Sequence, residues 1–86
     1  MEIQLISGTF TMAEAEQLLT SIFKTKIAFH EKRIGKLDEH EEDMKHSEKK
    51  ILKLEETLRS TIRNMKETGQ AHARINANIE VDTFSN

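Results

Sequence analysis

The most regular pattern of apolar and polar positions lies near the end of the chain. From Ala71 to Thr83, small or apolar residues alternate with polar or charged ones without exception. Strict period-two alternation over this length is typical of a β-strand with one buried and one wet face. The sequence therefore predicts a long closing strand over about residues 71–83, with Gly69 ending the helix before it.

A shorter segment at the start of the chain alternates in the same way. Ile3 and Leu5 fall on one face and Gln4 falls on the other. Gly8 then ends the pattern, because glycine is typical of turns and strand ends. This segment predicts a first strand over about residues 2–7.

Two helical runs lie between the strands. Thr11 and Glu14 have the spacing of a capping box, in which each side chain bonds the other's backbone amide, so a helix is expected from about residue 12. Apolar residues then recur three or four positions apart in two stripes, which predict helices over about residues 12–35 and 42–68. The first stripe contains Leu18, Leu19, Ile22, Phe23, Ile27, Phe29, Ile34 and Leu37, and the second contains Met44, Ile51, Leu54, Leu58, Ile62 and Met65. Part of the second stripe has the seven-residue repeat of a coiled coil.

An acidic segment separates the two stripes. Asp38 to Asp43 contains five acids in six residues and no apolar side chain, which predicts a turn over about residues 35–42 with Gly35 as a helix end. The alternative is one unbroken helix, which would hold the strands about 85 Å apart at 1.5 Å per residue. A hairpin instead lets the strands satisfy each other's backbone groups. The sequence thus predicts a single α+β domain over residues 1–86, an antiparallel helical hairpin packed on a two-stranded antiparallel sheet in the order β-α-α-β.

The size of the chain makes such a domain marginal by itself. Its 86 residues are 36% apolar and include no cysteine, so disulfides are excluded and self-association is the expected source of extra stability. The predicted closing strand is also about twice as long as the first strand, which would leave half of it unpaired. We therefore expect a homodimer with a four-stranded sheet, formed by strand pairing, helix packing or both. The expected interface residues are Ile75, Ala77, Asn78, Ile79 and Val81.

Candidate chemistry is confined to the acidic turn and one histidine. Glu42 and Asp43 stand four and three residues before His46, a spacing that can hold a divalent metal. A solvated, capped turn explains the same residues without a ligand. His30 shares the phase of the first apolar stripe and is expected to be a packing residue. The sequence contains no glycine-rich phosphate loop, hydrolase motif or cysteine zinc motif, so neither an enzyme nor a cofactor is expected.

The charge and the targeting signals of the chain limit which classes of partner and which compartment are expected. The net charge is −2, and acidic residues accompany the two basic stretches, so neither nucleic acid nor an anionic membrane is the expected partner. The first basic stretch contains Lys24, Lys26, Lys32, Arg33 and Lys36, and the second contains Lys45, Lys49, Lys50 and Lys53. No signal peptide and no membrane-length apolar stretch is recognisable, which favours the cytoplasm. The sequence predicts a homo-oligomeric structural or protein interaction module that binds itself, with another protein as an additional option. The alternatives are a metal-binding or histidine-dependent enzyme at the acidic turn and a weak nucleic-acid binder.

Overall fold

A computed structural model describes residues 1–36 and 41–85 of the chain. The side chains of residues 33–36 and 41–44 are outside this description. Residues 37–40, the middle of the turn predicted over about residues 35–42, therefore lie outside the described residues. The backbone of the first helix continues through Gly35, one residue beyond its predicted end.

Two helices and two strands occur in the predicted order, so the α+β class is confirmed. The elements are β1 (Glu2–Thr11), α1 (Met12–Lys36), α2 (Glu41–Glu67) and β2 (His72–Glu80). β1 and β2 pair antiparallel in one sheet. α1 contacts α2 along the hairpin and also contacts both strands.

The helices form the predicted hairpin rather than one unbroken helix. Lys66 near the end of α2 lies 3.5 Å from Glu16 near the start of α1, measured from Nζ to Oε1. Such an exposed ion pair adds little stability. Its position nevertheless shows that the two helices run antiparallel. Ile51, Leu58 and Met65, which stand seven residues apart, are all half-buried. The second apolar stripe therefore faces the interior of the hairpin, as its repeat predicted.

The capping box at the start of α1 is confirmed. The Thr11 amide donates to Glu14 Oε1 at 2.9 Å, and the Glu14 amide donates to Thr11 Oγ1 at 3.2 Å. The hydrogen bonds from Thr11 hold the pKa of the Glu14 carboxyl below its ordinary value, and the nearby charge of His72 adds to this lowering. The Met12 amide donates to Ala71 O at 3.0 Å, which joins the start of the helix to the second strand.

The end of α2 is also the predicted one. Gly69 has a φ of +69°, in the left-handed region that favours glycine. Its amide donates to Lys66 O at 3.2 Å, and the Thr68 hydroxyl donates to Met65 O at 2.7 Å. These bonds satisfy carbonyl groups that would otherwise lack a hydrogen-bond partner at the end of the helix.

The predicted end of the first strand at about residue 7 was wrong. The register passes from Gln4 opposite Asn78 to Ile6 opposite Ala77, so Leu5 is an extra residue in a β-bulge. The bulge shifts the alternation by one position and returns Ile6 to the face of Ile3, and β1 then continues to Thr11.

Gly8 lies inside β1, paired with Ile75, and an aromatic ring packs beside it. Atoms of the Phe10 ring lie 3.6 and 3.7 Å from the place that a Cβ on Gly8 would take. The ring therefore packs over backbone that a glycine would otherwise leave bare. Both residues are half-buried and continue the inner face of the strand.

The predicted mismatch in strand length was also wrong. β1 has 10 residues and β2 has 9, and they pair along their whole length. Backbone bonds between Met1 and Val81, at 2.7 and 3.0 Å, extend the ladder by one more pair. Asn78 and Ile79, which were expected to be free to recruit another chain, pair with Gln4 and Ile3.

The interior of the single chain is small. Within the described residues, Ala15 is the one apolar residue that is fully buried, and His30 is the one buried polar residue, at 7% exposure. The solvent-accessible surface is 7165 Å², against about 5,200 Å² for a compact monomer of this mass. The radius of gyration is 16.0 Å, against about 12 Å for a compact domain of this length. One chain is therefore an open structure.

Candidate interface on the sheet

The inner face of the sheet changes in exposure along its length. Opposed residues of an antiparallel pair lie on the same face, and this face carries the pairs Phe10–Ala73, Gly8–Ile75, Ile6–Ala77 and Ile3–Ile79. The first three pairs are half-buried, whereas Ile3 and Ile79 are 44% and 40% exposed. We call the end of the sheet beside Thr11 and His72 the proximal end and the opposite end the distal end. The distal end lacks the cover that the proximal end has.

A cluster of exposed apolar side chains marks the distal end. Of the eight large apolar residues that are exposed in the described part of the chain, five lie in the last paired positions or in the bulge. These five, the distal apolar cluster, are Met1, Ile3, Leu5, Ile79 and Val81. Sequence reasoning identified Ile79 and Val81 and missed the other three. The register of the bulged strand, which places Ile3 opposite Ile79, is the information that would have found Ile3.

The outer face of the sheet is polar, and its charge changes sign along its length. At the distal end, Glu2 and Glu80 are directly opposed. At the proximal end, Arg74 and His72 lie on the same face and are both exposed. Between them, the Ser7 hydroxyl donates to Asn76 Oδ1 at 3.2 Å. The face is therefore acidic at one end, neutral in the middle and basic at the other end.

One edge of β2 is open. Val81 bonds Met1 and Ala71 bonds Met12, at the two ends of the first strand, and in an antiparallel ladder alternate residues point toward and away from the partner. The groups that point away are therefore the backbone N–H and C=O of His72, Arg74, Asn76, Asn78 and Glu80. Among the described residues, no third strand pairs with this edge. β2 thus presents a regular, bulge-free edge to another strand.

The structure places the predicted interface residues on this one strand but in different settings. Ile75 and Ala77 are half-buried on the inner face, and Asn78 is exposed on the outer face. Ile79 and Val81 belong to the distal apolar cluster. Their participation in an interface stays a prediction, now connected to an open edge and an exposed cluster rather than to an unpaired half-strand.

The metal prediction falls largely outside the described residues. The side chains of Glu42 and Asp43 are among those not described, and His46 is exposed on α2. Within the part of the chain that the structure describes, no group of three metal-ligating side chains occurs. The metal site therefore stays a prediction.

A basic cleft lies between the helices around His30. It is lined by His30, Lys26, Lys50, Lys53, Leu54 and Thr57. The Phe29 ring stands edge-on to the His30 ring, with centroids 6.0 Å apart and an interplanar angle of 73°. The burial of His30 agrees with its predicted packing role. The hairpin also brings lysines from both basic stretches together here, which the sequence did not predict.

Comparisons with protein family models, with curated proteins and with solved structures gave no match for this chain. Neither helix, over its described residues, has an apolar stretch long enough to cross a bilayer. The function is therefore inferred from the geometry of the sheet and the helices.

Proposed function

We propose that the protein is a homo-oligomeric interaction module whose basic unit is a dimer. The observation that supports this is the surface of the single chain, 7165 Å², which exceeds that of a compact monomer by about 2,000 Å². A standard interface removes about 800 Å² from each partner, and obligate homodimers remove more. A second copy is therefore the simplest partner large enough to cover the excess.

The sheet is the element that gains most from a second copy. A two-stranded sheet is marginal in water, and three or more strands with an apolar face are needed for independent stability. The distal apolar cluster supplies apolar surface in one place, with exposed fractions from 40% to 83%. Burying such surface stabilises association by about 25 cal/mol for each Å². Helix packing between copies would add to this, because Phe29 and Leu52 are also exposed.

A module of this kind acts by presenting a surface rather than by catalysing a reaction. We propose that the dimer is a structural or adaptor unit, with another protein as an additional partner. The proposal assigns no reaction and no cofactor to the chain. Its direct prediction is the mass of the protein in solution.

The test is light scattering or sedimentation over a concentration series. At tens of micromolar we expect a mass of twice the 9.9 kDa chain or a higher multiple. The Ile79→Ser variant should shift the equilibrium toward monomer, because it replaces apolar surface of the distal cluster. Asn78→Ser, one residue away on the outer face, is the matched control and should leave the mass unchanged. A wild-type protein that is monomeric at these concentrations would overturn the proposal.

The basic cleft favours a second candidate function, the binding of a polyanion such as RNA. Lys26, Lys50 and Lys53 converge on one cleft, and phosphate contacts of this kind give strongly salt-dependent binding. The test is a fluorescence titration with single-stranded RNA at low salt. Lys50→Glu should weaken binding several-fold, and Lys49→Glu, which makes the same charge change outside the cleft, should have a smaller effect. Absence of binding by the wild-type protein at low salt would dispose of this candidate.

A further inference from the structure

We infer that two copies pair through the open edges of β2, antiparallel, with Asn76 of each copy beside the two-fold axis. This inference rests on the proposed self-association and specifies its geometry.

The two edges of the sheet are not equivalent. β1 carries the bulge at Leu5, and a bulge interrupts an edge and obstructs its pairing with another strand. β2 runs without a bulge from His72 to Glu80. The regular edge is therefore the one suited to pairing with a second copy.

The backbone of β2 selects the register. The residues whose N–H and C=O groups reach the open edge are His72, Arg74, Asn76, Asn78 and Glu80. Centring the pairing on Asn76 opposes 72 with 80, 74 with 78 and 76 with itself, so all five residues of each copy are used. This gives about ten backbone hydrogen bonds, two for each opposed pair. A shift of the centre by one residue in either direction leaves one of the five residues of each copy unpaired.

The side chains fit the same register. On the outer face, His72 of one copy is opposed to Glu80 of the second copy, which brings the basic end of one face to the acidic end of the other. On the inner face, Ala73 is opposed to Ile79 and Ala77 to Ile75, so a small residue meets a large one at each position. The register therefore brings no like charges opposite each other, which would be destabilising. In this register Ile79 of the distal apolar cluster gains a second cross-strand neighbour, Ala73 of the second copy, in addition to Ile3 of its own chain.

The product is a closed dimer with a four-stranded sheet in the order β1-β2-β2-β1. The two-fold axis runs perpendicular to the sheet, so the helices of both copies lie on the same face. The apolar inner face then carries the α1 helix of each copy, which contacts both strands of its own chain, and both central strands are paired on both edges. The two-stranded sheet of the single chain, which is marginal in water, thus becomes part of a four-stranded sheet.

Single-cysteine variants test the register, because the chain has no cysteine of its own. In the inferred register the two copies of residue 76 have Cα atoms about 5.5 Å apart, within the range of about 4.4 to 6.8 Å that a disulfide needs. N76C should therefore form a disulfide-linked dimer in high yield with a mild oxidant, seen on a non-reducing gel. N78C is the matched control. Its two copies lie about 13 Å apart along the strand and should remain largely unlinked.

A mixing experiment sharpens the same test. R74C and N78C should each link poorly alone and should form a heterodisulfide when mixed, because residues 74 and 78 are opposed across the axis. A heterodisulfide between N76C and N78C, with little N76C homodimer, would instead place the axis at residue 77 and overturn the inferred register.

Proline variants test which edge is used. Asn78→Pro removes a donor on the open edge of β2, whereas Thr9→Pro removes one on the opposite edge, that of β1. Neither donor is used between β1 and β2, so both variants should keep the circular dichroism spectrum of the wild type. The dissociation constant of the dimer should rise at least tenfold for Asn78→Pro and little for Thr9→Pro.

The outcomes separate this inference from the proposed function. A wild-type dimer in which N76C does not link would overturn the inferred register, and one that Asn78→Pro leaves intact would overturn strand pairing through β2. In both cases the proposed self-association stands. A wild-type monomer would overturn both. Linking by N76C together with loss of the dimer in Asn78→Pro would support both.

Discussion

The proximal and distal ends of the sheet show how unevenly one chain is stabilised. At the proximal end, the helix cap, the bond from Met12 to Ala71 and the buried Ala15 lie within a few residues of one another. At the distal end, Met1 and Val81 exchange backbone bonds, but apolar side chains there remain exposed. The difference indicates that folding of the single chain depends mainly on the proximal end, whereas the distal end leaves apolar surface exposed that the proposed association would bury.

Ala15 offers the largest test of this comparison. It is fully buried, so Ala15→Asp places a charge where no space or partner is prepared for it, and we expect a loss of at least about 3 kcal/mol in the free energy of unfolding. Chemical denaturation at fixed protein concentration measures it. Ala13→Asp, in the same helical turn but exposed, should change stability by less than about 0.5 kcal/mol. Equal effects of the two changes would contradict the proximal core.

Gly8 and Gly69 should respond to alanine with opposite signs. Gly69→Ala puts a side chain into the left-handed conformation and should cost about 1 to 2 kcal/mol. Gly8→Ala meets the Phe10 ring at an ordinary contact distance of 3.6 Å and should stabilise the strand by about 0.5 kcal/mol. Thermal unfolding of both variants checks the sign. A loss of stability in Gly8→Ala would show that the ring cannot accept the methyl group.

The capping box predicts a smaller loss at the proximal end. Thr11→Ala removes the hydroxyl that accepts from the Glu14 amide and should lower the free energy of unfolding by about 1 kcal/mol. Thr9→Ala, an exposed strand threonine two residues earlier, is the matched control. Denaturant midpoints of the two variants should show a larger loss of stability for Thr11→Ala. Equal losses would show that the hydrogen bond of the cap is not the cause.

The same cap makes stability depend on pH. Because the pKa of Glu14 is lowered in the folded chain, its contribution is fully present above the ordinary carboxyl pKa and is lost as the pH falls through the folded value. The difference in stability between wild type and Glu14→Gln should therefore shrink between pH 7 and pH 3. A difference that stays constant over this range would show that the carboxylate charge is not what stabilises the cap.

The smallest effect on folding is expected at the distal end. Leu5 is 55% exposed in the bulge, so Leu5→Ser should change the stability of the monomer by less than about 0.5 kcal/mol. Measurement at low protein concentration separates this effect from association. A loss above 1 kcal/mol would show that the distal end contributes to folding of the single chain.

Local features of the fold were predictable from the sequence. The capping box needs only Thr11 and Glu14 three residues apart, and the helix end needs only Gly69. The helical stripes and the strand alternation are also local, and together they give the element order. These features depend on residues within one or two turns of each other, so a single sequence contains the information.

The strand boundaries depended on the partner strand and were therefore mispredicted. Nothing between Ile3 and Ile6 reveals which residue is extra until the second strand is opposed to them. Beyond Val81, the alternation continues through Asp82 and Thr83, but the described residues offer them no paired neighbour. The interface prediction on β2 thus began from a mismatch that does not exist, and the structure supplies an open edge in its place.

In the inferred dimer, the bulge at Leu5 would limit how many copies can join. A subunit with two pairable edges behaves as a bifunctional monomer in polymer chemistry and grows into a chain, whereas a subunit with one pairable edge stops at two. By obstructing the β1 edge, a single extra residue would make the chain monofunctional. Deleting Leu5, which would restore plain alternation from Ile3 to Phe10, should therefore leave the fold in place and convert a dimer into longer assemblies.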